Sequence, residues 1–145
     1  LAKEGHTQWN PNLIYFNNNE VKLTVGYYVQ KLFGQNSGET YIPTKIRLSI
    51  GNEEVRKRVA LSIVRDKETS DVIIKLVNLL PSQVNAAINL SGLNVEPTEA
   101  INIVLKGKPA DISAKIEENR LLVSENFKYQ LPAYSLSVIR IKTNK

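Results

Sequence analysis

The chain has no cysteine and no methionine, and only one tryptophan and one histidine among its 145 residues. Without cysteine there is no disulfide framework, no thiolate metal site and no thiol nucleophile, although the absence leaves the compartment undecided. The lone histidine, His6, has no second histidine or cysteine with which to share a transition metal, so no cofactor is expected and His6 reads as a solvent-facing terminal side chain. No apolar run reaches the length of a membrane-spanning helix, and the first residues lack the charged-then-apolar order of a signal peptide, so no membrane partner is expected. The chain opens on Leu1, which reads as a piece cut from a longer product.

What is present is ordinary for a folded domain: 42% hydrophobic and 23% charged residues, in a length that suits one domain, or one domain and a fragment. The net charge of +5 hints at an anionic partner, but basic residues alternate with acidic ones, as in "GNEEVRKRVA", and no basic stripe interleaved with aromatics appears. Nucleic acid is therefore not an expected partner. Arg56 to Arg58 reads as a solvated strand edge, where charge discourages edge-to-edge pairing.

Two grammars follow one another along the chain. "NLIYF", Asn12 to Phe16, is a continuous apolar run of the kind that forms a strand buried on both faces, and "NNNEVKL" reads as a polar connection. "TVGYYVQKLFG" is then an amphipathic helix with Thr24 as N-cap, Gly34 as stop, and Tyr28, Val29, Leu32 and Phe33 on one face. After the loop "QNSGET" the period falls to near two. Strands are predicted at 45–50, 55–65, 72–78, 84–90, 101–105, 121–124, 127–131 and 135–142, with "DKETSD" (Asp66 to Asp71) as a hairpin turn. Eight strands with turn signals and no intervening helix favour an antiparallel β-sandwich or jelly roll. The aromatics crowd upstream of that part, leaving Tyr41, Phe127, Tyr129 and Tyr134, so the sandwich core is expected to be mainly Val, Ile and Leu.

Four stretches, "HTQWNPNLIYFNNNEV", "YYVQKLFGQNSG", "SIVRDKETSDVIIKLVN" and "FKYQLPAYSLSVIRIK", in that order, resemble the C-terminal end of the α-L-arabinofuranosidases of glycoside hydrolase family 51. The resemblance covers nearly the whole chain. It implies a mainly β fold, an antiparallel β-sandwich of jelly-roll type preceded by one strand-helix unit left over from a (β/α)8 barrel. Residues 1–35 are then the tail of the catalytic barrel, with its last strand and helix, and 36–145 the C-terminal sandwich. It implies that the parent enzyme removes terminal arabinofuranosyl groups from arabinan- and arabinoxylan-type polysaccharides with retention. The compartment is not fixed, with a periplasmic or secreted setting in a polysaccharide-degrading bacterium the one the resemblance favours.

Retaining hydrolysis needs two carboxyl groups about 5 to 5.5 Å apart. In the family both are glutamates on earlier barrel strands, which the resemblance places upstream of Leu1. No acidic residue here offers a replacement pair, so no catalytic residue is assigned and the chain alone is expected to be inactive. Trp9 and Asn12 are the substrate-proximal candidates in an intact enzyme, as a stacking wall and a hydroxyl-binding amide. The plainer reading, that Trp9 packs on the helix and Asn12 caps a turn, is preferred because aromatics are more often core. Asp66, Glu68 and Asp71 form an oxygen-rich turn that suits calcium on paper, but a solvated hairpin tip is the simpler account.

The expected partners are the barrel of the same polypeptide and, through the parent enzyme, arabinose-containing polysaccharide. The alternatives are a carbohydrate-binding module, which would present exposed rings, and a structural β-sandwich. Cut from its barrel, the opening segment is expected to be mobile, folded back on the sandwich, or buried in a homo-oligomer contact.

Overall fold

The structure is a computed structural model and describes residues 12–49, 51–108, 111 and 113–143. Its centre is a pair of apolar strands, β5 (Val72–Asn78) and β10 (Ser135–Ile141), in which every residue except Val77 and Arg140 is buried. They pair antiparallel, Val72 against Ile141 through Asn78 against Ser135. A strand covered on one face alternates apolar with polar, whereas one covered on both reads as a continuous apolar run. "VIIKLV" and "SLSVI" therefore belong in the middle of a sheet with layers on both sides.

The other strands extend that pair. The six-stranded antiparallel sheet has the order β3 (Thr40–Ile42), β4 (Val59–Arg65), β5, β10, β7 (Thr98–Lys106), β8 (Lys115–Val123). Over one face lies a two-stranded sheet of β6 (Val84–Asn89) and β9 (Asn126–Leu131). Ile74, Leu76, Ile139 and Ile141 pack there with Leu90, Val95 and Leu131. Tyr129 enters the same core with its polar end satisfied: its hydroxyl donates to Ser137 Oγ at 2.8 Å and accepts from Asn102 Nδ2 at 3.3 Å. Over the opposite face lies α1 (Val25–Gln35), whose Val25 and Leu32 meet Ile73, Leu105, Leu136 and Val138. Each side chain buried in this way contributes about 1.5–3 kcal/mol relative to exposure. The fold is thus the expected antiparallel β-sandwich, six strands over two, with a helix closing the outer face of the larger sheet.

Local chemistry sets the element ends. Thr24 caps α1: its Oγ1 accepts from the Tyr27 amide at 3.4 Å and donates to the Leu13 carbonyl at 2.9 Å. The helix runs past Gly34 to Gln35 and is stopped by the buried Asn36, whose amide side chain and backbone N–H both donate to the Leu32 carbonyl. The stop expected at Gly34 thus falls two residues later, at Asn36. Gly38 is needed instead for close approach, since a Cβ there would lie 2.8 Å from the Arg65 carbonyl oxygen.

Three expectations are corrected. The first strand, β1 (Ile14–Phe16), buries only Tyr15, and it pairs antiparallel with β2 (Val21–Leu23), formed within the stretch read as a polar connection. Residues 43–49 form no strand. The run 55–65 is divided, because Asn52 accepts from the amides of Glu54 and Val55 and starts a one-turn helix, α2 (Glu53–Arg56), before β4 begins. A capped turn with Glu53 and Glu54 at its positive end outcompetes the strand pattern, so Arg56 to Arg58 lies on an exposed turn and not on a sheet edge.

The β4–β5 turn is where expected, but it is not merely a solvated tip. Arg140 of β10 reaches Asp71 Oδ2 at 2.5 Å through Nε and Asp66 Oδ2 at 2.8 Å through Nη2, and Asp71 is buried. Ser70 adopts the left-handed conformation at φ 66°, and its carbonyl accepts from Arg65 Nη1 and Thr143 Oγ1. Hydrogen bonds to Asp66, first from the Thr69 amide and then from the Thr69 hydroxyl, the Glu68 amide and Arg140, hold its carboxyl below the usual aspartate range. A carboxyl lowered in the folded state contributes stability above the unfolded pKa and loses it as pH falls through the folded value. The urea midpoint of the chain should therefore drop as pH is lowered below about 4, and Asp66→Asn should show a shallower drop over the same range.

Candidate interdomain face

The site builds up from the hairpin that precedes α1. Asn17 makes the turn: its Oδ1 accepts from the amides of Asn19 and Glu20, and its own amide donates to the Glu20 carbonyl. The resulting register sets Ile14 opposite Leu23 and Phe16 opposite Val21. Directly paired residues share a face, so these four apolar side chains lie together on one side of the ribbon, and Tyr15 and Lys22 lie on the other. Tyr15 is buried and its hydroxyl accepts from the Asn12 amide at 3.0 Å. The apolar side is open: Ile14 is 38%, Phe16 42% and Val21 66% exposed.

Beside this ribbon lies a cavity of about 400 Å³ between the start of α1 and strands β5, β7 and β10, walled by Leu13, Val25, Val29, Val77, Leu105 and Leu136. Gln30, Tyr134 and Ser135 bring the polar atoms, and Leu79, itself 41% exposed, also lines it. The chain after β7 is held against the helix by Gly107 at φ +155°, where a Cβ would fall 2.8 Å from Val25 Cγ2. An apolar wall with few polar atoms recognises apolar side chains; a sugar needs converging donors and acceptors. Among the described residues the cavity wall carries no carboxylate, and no group of three His, Cys, Asp or Glu side chains is placed to hold a metal.

Of the sequence-derived candidates, Trp9 and His6 lie outside the described residues. Asn12 is half-buried, engaged through its backbone with Tyr15, and is not part of the cavity wall. Of the helix face expected to be apolar, Leu32 is buried, Tyr28 and Val29 are half-buried, and Phe33 is 41% exposed. Of the three arrangements expected for the opening segment, α1 is folded back on the large sheet, while the β1–β2 ribbon keeps one face open.

Lys75 escaped the sequence reading. It lies inside the apolar β5 run on the side facing α1, is 5% exposed, and holds its Nζ 5.2 Å from the centre of the Phe33 ring. Among the described residues no carboxylate pairs with it. Burial pushes its pKa below the ordinary lysine value. The unfolded chain then holds this proton to higher pH than the folded one, so folding stability rises as pH climbs from the lowered value towards 10.5. Lys75→Met should lack that alkaline rise, as measured by denaturant unfolding at pH 7 and above pH 9.

Comparison with known proteins agrees with this geometry. No protein-family model matches the chain. Over 45 residues, 31% of the chain, it is 44% identical to an extracellular exo-α-L-arabinofuranosidase of Streptomyces chartreusis, of which the matched stretch is 6%. Among solved structures it superposes on the arabinose-bound GH51 α-L-arabinofuranosidase MgGH51 with a TM-score of 0.80 and 26% identity, over 95% of this chain and 22% of that one. The α-L-arabinofuranosidase of Thermotoga maritima, solved with arabinose, superposes with a TM-score of 0.76 over 91% of this chain and 32% of that one; at 16% identity that likeness speaks for the fold alone. The chain spans less than a third of the length of each of these relatives. In sequence and in fold it resembles the C-terminal domain of a GH51 α-L-arabinofuranosidase.

Proposed function

We propose that the chain is the non-catalytic C-terminal sandwich of an α-L-arabinofuranosidase, and that its work is to pack against and stabilise the catalytic (β/α)8 barrel of the same polypeptide. The observation that carries this reading is the open apolar ribbon of Ile14, Phe16 and Val21 beside a carbon-lined cavity, at the point where the chain enters the domain. An apolar surface of this kind on a folded unit marks a contact with another unit. In this reading residues 1–35 continue the barrel and 36–145 form the sandwich, with α1 shared by both.

In this reading the parent enzyme acts on terminal arabinofuranosyl groups of arabinan- or arabinoxylan-type polysaccharides; a secreted setting is supported by the Streptomyces relative, an extracellular exo-α-L-arabinofuranosidase. The barrel supplies both catalytic carboxyl groups; Trp9 and Asn12 are the candidates for bordering its arabinose pocket in the intact enzyme, with packing and turn capping the preferred roles. Apart from its barrel, the same ribbon is the surface on which two copies of the chain would associate. A carbohydrate-binding module fits less well, because the exposed rings of Phe16, Phe33 and Tyr41 sit on β1, α1 and β3 and do not share one strand face.

The test is hydrolysis of p-nitrophenyl α-L-arabinofuranoside by this chain and by the same chain joined to its upstream sequence, with activity expected in the longer protein alone. Replacing Phe16 and Val21 by Ser should lower the stability of the longer protein by roughly 1–3 kcal/mol and leave the midpoint of the isolated chain nearly unchanged. Activity of the isolated chain would overturn the reading, as would indifference of the longer protein to the double substitution.

A further inference from the structure

The six-stranded sheet is closed by the last of its strands to be made. β10 follows all nine others in the chain, yet it lies between β5 and β7. Without it, the paired strands that remain are β3–β4–β5 on one side and β7–β8 on the other. It also closes both cores, giving Ile139 and Ile141 to the sandwich side and Leu136 and Val138 to the helix side. Before it arrives, β5 and β7 each present an unpaired main-chain edge to the gap that β10 fills.

Both ends of the strand carry contacts that set its register. At its start, Asn78 Nδ2 donates to the carbonyls of Ser82 and Pro132, the Tyr134 amide donates to the Leu80 carbonyl, and Tyr134 takes the left-handed conformation at φ 44°. At its far end Arg140 grips Asp66 and Asp71, and Thr143 reaches the Ser70 carbonyl, across more than 65 residues of chain. A slip of one residue would turn the apolar set of β10 to the wrong faces and take Arg140 away from both carboxylates.

We infer that β10 is a closing latch: the domain gains its native protection in one step, when residues through Thr143 become free to pair, and the Arg140 clasp fixes the register of that step. This property belongs to the sandwich itself and does not rest on the proposed function.

The experiment uses the full 145-residue chain, held on the ribosome through linkers of graded length added after Lys145 and challenged with protease, with the released chain as the resistant reference. Resistance is expected to be lost whenever the linker leaves β10 inside the exit tunnel and to appear once Thr143 is clear. Pulse-labelled hydrogen exchange during refolding of the released chain should show the amides of β5, β7 and β10 gaining protection in a single phase. Arg140→Met should slow that phase while leaving it single. Resistance with β10 still sequestered, or protection of β5 and β7 in a phase preceding that of β10, would overturn the inference.

Discussion

The structure depends on one pairing, that of β5 with β10. Both strands are apolar on both faces, so neither tolerates an edge position or a solvated layer. Once they are paired, two covers are required, and the sequence provides two different ones: the β6–β9 ribbon on one side and α1 on the other. The polar groups that enter these cores come with partners, Ser137 and Asn102 with Tyr129, and Asn78 with the carbonyls around Pro132. Lys75 has no carboxylate partner among the described residues, and its Nζ lies against the Phe33 ring.

The helix cover has a consequence for the opening segment. α1 satisfies the large sheet through Val25 and Leu32, and the Thr24 cap joins it to β1 through the Leu13 carbonyl. The β1–β2 ribbon is thereby fixed in place without being covered itself. Fixing an apolar ribbon next to a carbon-lined cavity costs solvation energy on this chain alone, on the order of 25 cal/mol for each Å² left in water. That cost is offset when a further part of the polypeptide packs there. The resemblance to solved enzymes several times longer points the same way.

Much of this was legible in the sequence, for reasons that can be traced to residues. β5 is legible with the bounds it has, because an apolar run broken only by Lys75 and ending in asparagine has few other uses, and the Asp66–Asp71 turn and the Thr24 cap carry side chains that make those local structures. What escaped reading was where local chemistry or sheet position overrides periodicity. The first half of β8, "KIEENR", is mostly exposed on an edge strand and so lacks the apolar beat of an inner one. The Asn52 cap turned 53–56 from strand to helix. β2 was hidden by the asparagines that make its turn. The cavity was not legible at all, because its walls come from residues as far apart as Leu13 and Leu136, each of which reads as ordinary core. Of the two site candidates, Asn12 carries a backbone contact and Trp9 lies outside the described residues.

If the proposed packing holds, the ribbon and the cavity are covered by the upstream polypeptide. The most direct test is hydrogen exchange read by mass spectrometry on the isolated chain and on the same chain within its longer protein. Added protection is expected in 13–29 and in the segments around Gly107 and Tyr134, with β6 and β9 unchanged. Equal exchange across 13–29 in the two proteins would contradict it.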